Sequence, residues 1–194
     1  AVMAARAISG PVVLKIASPD IAHKSEAGGV RVNIKGDAEV RAAFGDIMEK
    51  AKAYAPSAQL DGVLVSPMIS GGTEVIVGIK RDPVFGAAVM LGLGGIFVEI
   101  FGDTALRVPP YGLDDAKAMV RELKAFPLLT GARGRPPADV AALAHALMAM
   151  GVFAHQYGQQ FDSFEINPLI VLPKGQGVIA VDALLLCDNG AAAN

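Results

Sequence analysis

Cysteine is almost missing from this chain. The single one, Cys187, excludes an internal disulfide framework and a zinc site built from cysteines, and a reducing cytoplasm fits. Charge is also scarce: 19% of residues are charged against 53% hydrophobic, and the net charge is −2. That balance belongs to a folded chain rather than a disordered one. No basic stripe stands out, which argues against nucleic acid as a partner. The N-terminus lacks a basic segment leading into an apolar one, so it does not read as a signal peptide. Ala1 to Ile8 reads instead as the last turns of a helix with no start signal, and the expectation is a piece of a longer chain. There is no internal repeat. The glycine run Gly92-Leu93-Gly94-Gly95 is not followed by Gly-Lys-Ser/Thr, so it is not a P-loop.

What is present suffices for one large domain or two small lobes: 194 residues, 22 of them glycine. Mean hydropathy is high, +0.45. The run from Val140 to Phe161 has no Lys, Arg, Asp or Glu and is long enough to cross a membrane. It carries His145, His155, Gln156, Gln159 and Gln160, so the expectation is a buried helix and no membrane. The spacing of His145 and His155 is not that of a metal pair, and both read as structural. The residual hydrophobicity points to a partner surface, for other domains or a second copy.

The punctuation of the chain predicts a mixed α/β or α+β fold with a largely antiparallel sheet. Strands are expected at Val12–Ile16, Val30–Ile34, Gly62–Ile69, Thr73–Lys80, Gly86–Leu91 and Ile96–Ile100. Helices are expected from Asp37, as cap, to about Ala55, with Val40, Phe44, Ile47 and Met48 on one face, and at Leu113–Ala125 and Ala138–Tyr157. Ser70-Gly71-Gly72 reads as the turn of a hairpin joining the third and fourth strands. The chain closes on a second hairpin, Ser163–Leu172 with Gly177–Leu186. A lobe boundary falls near Leu64 to Met68, giving lobes 1–66 and 67–187 and a tail 188–194.

Two polar clusters stand out. The first is the loop Ser18-Pro19-Asp20-Ile21-Ala22-His23-Lys24-Ser25-Glu26-Ala27-Gly28-Gly29, after a strand carrying Lys15. A histidine between charged and hydroxyl groups, beside a glycine pair, suits a group that changes places. The second is the last hairpin. A four-residue loop at Pro173–Gln176 puts Leu172 opposite Gly177 and Asn167 opposite Asp182, with Glu165 on the face of Asn167. By the same alternation Leu169 and Val171 share that face. Three oxygen-bearing side chains would converge, a set suited to Mg²⁺ with phosphate and water. The alternative is a solvated hairpin end, and a one-residue bulge would break the register. Together the clusters suggest phosphoryl transfer.

These residues carry a resemblance. Val12-Val13-Leu14-Lys15, Ser18-Pro19-Asp20-Ile21, His23-Lys24-Ser25-Glu26, Gly28-Gly29-Val30, Gly72-Thr73-Glu74, Asp82-Pro83 with Phe85-Gly86, Gly92 to Ile96 with Glu99, Leu128-Leu129 with Gly131 and Arg133-Gly134, and Glu165 to Leu169 with Asp182-Ala183 run nearly end to end. In combination the chain resembles the ATP-grasp domain of the NDP-forming acyl-CoA synthetases, relatives of the succinyl-CoA synthetase β subunit.

The resemblance implies a two-lobed ATP-grasp fold whose N-terminal lobe is incomplete here, and therefore a piece inactive by itself. It implies the reversible reaction of acyl-CoA, phosphate and NDP to acid, CoA and NTP. His23 would carry the phosphoryl group. Lys15 would hold phosphate, the backbone of Leu64, Val65 and Ser66 would meet adenine, and Glu74, Gly94 and Gly95 would lie by the nucleotide. Glu165, Asn167 and Asp182 would hold Mg²⁺. ATP or ADP and Mg²⁺ are the implied cofactors, and the CoA-binding and ligase domains the implied partners. Glu99 is a further candidate for the site, and Arg133 and Arg135 for a partner contact. Two other readings stand beside this: a nucleotide-binding regulatory module of a protein acetyltransferase, and a different ATP-grasp ligase.

Overall fold

The apolar run around Lys15 forms the middle strand of a three-stranded antiparallel sheet in the computed structural model, which describes residues 1–94, 102–134 and 136–187. The chain divides into two units, Ala1–Ser70 and Gly71–Asn194. In the first, β1 (Val12–Ala17) lies between β2 (Val30–Ile34) and β3 (Gly62–Pro67). A short helix α1 (Val2–Arg6) and the long α2 (Gly36–Tyr54) complete it. Val40, Ala43, Ile47 and Ala51 form the buried stripe of α2 and pack with Val12, Leu14 and Ile16. Each fully buried Val, Ile or Leu in such a stripe contributes about 1.5–3 kcal/mol.

Three expectations change here. Phe44 is 37% exposed, outside the stripe. Asp37 is not the cap of α2: the N-cap position is Lys35, whose N–H is accepted by Glu39 Oε2 at 2.8 Å. Asp37 sits in the first turn and takes both ends of the Arg6 guanidinium, tying α1 to α2; that pairing holds its carboxyl below the usual range. Finally, β3 does not form a hairpin with the next strand. It ends at Pro67, which has no N–H to give, and pairs antiparallel with β1 from Val12 opposite Pro67 to Ala17 opposite Gly62.

The second unit holds a six-stranded antiparallel sheet, with β4 (Thr73–Asp82), β5 (Gly86–Leu93), β6 (Thr104–Arg107), β7 (Ser163–Val171) and β8 (Val178–Ala180) in the order β6-β5-β4-β7-β8. A last strand β9 (Ala183–Leu186) also pairs with β7. Two helices, α3 (Leu113–Glu122) and α4 (Val140–Tyr157), pack on one face against Val75, Val77, Ile79, Val89, Leu91, Leu169 and Val171. Helix α3 stops at Glu122, short of Ala125, because the buried Asp103 carboxylate accepts the N–H groups of Lys124 and Ala125, both at 2.8 Å. Helix α4 starts at Val140, not Ala138, because Asp139 caps it through Ala142 N–H at 3.1 Å.

By length and composition α4 could cross a membrane. In this fold Leu143, Ala144, Leu147, Met150, Gly151 and Ala154 are buried in the core instead. The expected strand Ile96–Ile100 and the tail 188–194 lie outside the described residues.

Candidate functional site

The histidine loop is held at both ends and open in the middle. Ile21 and Ala27 are buried, each 3% exposed, while His23, Ser25 and Glu26 between them are exposed. One helical turn shapes the segment: Ala27 N–H donates to His23 C=O at 3.3 Å. It closes with Gly28 N–H on Ser25 C=O at 3.0 Å and Gly29 N–H on Lys24 C=O at 2.8 Å, the pairing of a Schellman motif. That motif needs a left-handed residue, and Gly28 supplies it with φ +64°. Gly29 answers a different demand, since a Cβ there would lie 2.5 Å from Ile16 Cγ2. At the other end Asp20 Oδ2 accepts Gln59 N–H at 2.7 Å.

Lys15 is 6% exposed, on the face of β1 away from the α2 core, with Val30 and Leu64 as cross-strand neighbours. The three candidate adenine contacts on β3 are not equivalent. Met68 N–H bonds Pro11 C=O at 2.9 Å, which phases the ladder. By alternation Leu64 and Ser66 spend their peptide groups on β1, and Val65 turns its own outward along the edge of the sheet.

The closing hairpin follows the predicted register throughout. Leu169 stands opposite Ala180, Glu165 opposite Leu184, and Asn167 N–H donates to Asp182 C=O at 3.1 Å. A bulge does occur, but on the other edge of β7: against β4 the register slips between Val75 and Val77. The slip corrects the expected sides. Phe164 and Ile166 below it, and Leu169 and Val171 above it, all pack into the helix-covered core. Glu165, Asn167 and Ile170 therefore occupy the opposite face, away from Leu169 and Val171, because the extra residue inverts the alternation.

On that face Asn167 Nδ2 donates to Glu165 Oε1 at 2.8 Å, and Asp182 Oδ1 accepts Ala183 N–H at 3.0 Å. Glu165 stands opposite Gly78 on β4, which places no side chain beside it. Among the described residues no three Asp, Glu, His or Cys side chains cluster as a metal site. The set remains two carboxylates and an amide, the sparse oxygen donors that Mg²⁺ accepts when phosphate and water complete its shell.

Glu74 lies on the same face of β4 and is exposed. Its carbonyl accepts Gly94 N–H at 2.9 Å, and a Cβ on Gly94 would come within 3.1 Å of Glu74 Cβ. Gly94 thus lies directly against Glu74. Gly95, Glu99 and Arg135 fall outside the described residues, as does the side chain of Arg133.

Sequence reasoning missed two supports. Asp139 Oδ2 accepts the N–H groups of Gly175 and Gly177 at 2.9 and 3.0 Å, so one carboxylate caps α4 and shapes the β7–β8 turn that sets the register. Hydrogen bonds from the Ala142 and Gly177 amides hold it below the usual carboxylate range. An acid just before an apolar helix is the signal for it. Arg31 was also passed over. Its Nη1 donates to Gly28 C=O at 3.1 Å and Val30 C=O at 2.6 Å, and its other arm pairs with Asp46.

Known proteins are similar to this chain across its length. The ATP-grasp domain family model matches residues 1–186. The β subunit of acetate–CoA ligase [ADP-forming] I from Pyrococcus furiosus is 49% identical over 179 residues, 92% of this chain and 76% of that one. The dinucleotide-forming acetyl-coenzyme A synthetase 1 of Ca. Korarchaeum cryptofilum, solved with coenzyme A and Ca-AMPCP, superposes with a TM-score of 0.89 at 44% identity, covering 96% of this chain and 80% of that one. The same enzyme with coenzyme A and Mg-AMPPCP, its phosphohistidine segment pointing towards the nucleotide binding site, matches at TM-score 0.79 and 41% identity over 96% and 81% of the two chains. With a matching fold in both units and this identity over nine-tenths of its length, the chain belongs to the ATP-grasp family and is the ATP-grasp part of an NDP-forming acyl-CoA synthetase.

Proposed function

We propose that His23 carries the phosphoryl group between an acyl phosphate, formed elsewhere in the synthetase, and ADP. The observation that carries this is the loop itself: an exposed imidazole on a short segment whose two ends, Ile21 and Ala27, are buried. A segment built that way can move without unfolding its base. The Korarchaeum relative, whose phosphohistidine segment points towards its nucleotide site, supports the reading.

In the first step a ring nitrogen of neutral imidazole attacks the phosphorus of a phosphohistidine on another domain, itself charged by the acyl phosphate; the P–N bond there breaks, and that histidine leaves with the bonding pair. In the second a terminal oxygen of ADP attacks phosphorus, the P–N bond breaks, and His23 returns to the neutral ring. Lys15 holds phosphate oxygens. Val65 offers the outward peptide groups for adenine, a role that Leu64 and Ser66 share only through their side chains. Glu74 and Gly94 lie beside the nucleotide, with Gly95 next in sequence. Glu165, Asn167 and Asp182 hold Mg²⁺, which neutralises charge on the phosphates when bound.

On this reading the unit Ala1–Ser70, rather than 1–66, carries the histidine loop, and the metal residues belong to the unit that starts at Gly71. Its partners are the CoA-binding and ligase domains of the synthetase, in the cytoplasm.

The test uses the synthetase assembled with those domains, ³²P-labelled ATP and Mg²⁺. Acid-labile, base-stable label on the wild type and none on His23→Ala is the expected result. Equal label on the variant removes His23 from the pathway. No label on either, with nucleotide still bound, favours the regulatory-module reading.

A further inference from the structure

We infer that Arg31 and Asp46 form a clamp on the pivot of the histidine segment and set the balance between its two working orientations. The inference rests on the His23 reading. It starts from Gly28, the left-handed residue at which the segment rejoins the sheet. Its carbonyl accepts Arg31 Nη1 at 3.1 Å, and the same nitrogen donates to Val30 C=O at 2.6 Å. The guanidinium therefore spans the residues on either side of Gly29, whose own carbonyl is tied to Ile16 N–H at 2.7 Å.

Arg31 is itself held. Its second arm pairs with Asp46 on α2, and Asp46 Oδ1 takes Lys50 Nζ at 2.9 Å, one turn further along. The Lys50 chain closes the other side of the pivot: a Cβ on Gly28 would lie 3.0 Å from Lys50 Cδ. The pivot is thus bounded by β1, by the Arg31 fork and by the Lys50 stem. At the opposite end of the loop Asp20 Oδ2 accepts Gln59 N–H at 2.7 Å.

A fork that grips main-chain carbonyls is not needed to close a Schellman turn, which satisfies its own N–H groups. What it adds is a charge-assisted bond to the carbonyl that follows the buried end of the segment, and so to the base on which the segment turns. Arg31 touches neither His23 nor the phosphoryl group, and it acts as a positioning residue. The clamp is built on the base of the segment in the arrangement seen here, so it favours the orientation which that base presents over the other. Its loss shifts the population between the two.

The experiment measures the two half-transfers separately by rapid quench in the assembled synthetase: labelling of His23 from ATP with its reversal by ADP, and discharge of labelled enzyme by acid and CoA. Wild type, Arg31→Met, Arg31→Lys, Asp46→Asn and His23→Ala are compared, with melting curves for each. Arg31→Met is expected to slow one half-transfer about tenfold and leave the other equal or faster, with KM for ADP unchanged. Asp46→Asn should move the same half-transfer in the same direction, and Arg31→Lys should recover part of the effect. Equal slowing of both halves with a lowered Tm would make the clamp purely structural and overturn the proposal. Unchanged rates in Arg31→Met, with His23→Ala unlabelled, would overturn the clamp and leave His23 as carrier. Label on His23→Ala would overturn the carrier, and the clamp with it.

Discussion

Asn167 and Asp182 stand opposite each other across the kink of β7, joined by the Asn167 N–H and the Asp182 carbonyl at 3.1 Å. The bond joins the main chains, while the Asp182 side chain accepts Ala183 N–H at 3.0 Å. The Asn167 amide is already turned onto Glu165 at 2.8 Å.

Replacing Asp182 or Glu165 by its amide should weaken the Mg²⁺-dependent part of nucleotide binding by about tenfold, roughly 1.4 kcal/mol. Calorimetric titration of ADP with Mg²⁺ and with EDTA separates this from loss of nucleotide binding as such. Equal affinities in Mg²⁺ for wild type and variant would exclude these carboxylates as metal ligands.

The seat of the histidine loop depends on Gly29. Gly29→Ala puts a methyl group 2.5 Å from Ile16 Cγ2 and 3.0 Å from Lys24 O. The expected cost is about 1–3 kcal/mol of stability, the usual range for overpacking. Denaturant unfolding reads it, and proteolysis should cut first between Ile21 and Ala27.

Tyr111 lies over Gly151 of α4, where an added Cβ would meet the ring at 2.6 Å. Gly151→Ala should therefore destabilise by about 1–3 kcal/mol. Tyr111→Phe should cost about 1 kcal/mol, because its hydroxyl donates to Leu147 C=O at 2.7 Å. Burial pushes the Tyr111 hydroxyl up to about 12. The unfolded chain loses that proton near pH 10, so stability should fall as pH rises from there towards 12, and less in Tyr111→Phe.

Asp139 predicts the opposite slope at low pH. Its carboxyl is held below the ordinary range by amides that bond the charged form. The stability it contributes is complete above its unfolded value, near pH 4, and is lost as pH falls through the folded value. Urea midpoints measured from pH 7 to pH 3 should drop more steeply for wild type than for Asp139→Asn. The variant should also be less stable at pH 7, since it no longer offers two charged oxygens to three N–H groups.

Much of this protein was legible along the chain because it is local. Val12 to Ile16 reads as a buried strand, the uncharged run from Val140 as a buried helix, and a four-residue turn at Pro173 sets the hairpin register by counting. The motif around His23 was legible as a motif, with its family. Strand partners were not. Nothing local tells β3 to pair with β1 rather than fold back on β4, since a glycine pair permits either and the choice falls to the apolar surface available. The bulge in β7 is decided by the neighbouring strand, and it alone puts Glu165 and Asn167 on the face opposite Leu169 and Val171. The Arg31 fork on Gly28 likewise exists only once β2, the loop and α2 are brought together. Spacing along the chain determined which residues share an element; which elements meet, and so which polar groups work together, was decided by packing between segments far apart in sequence.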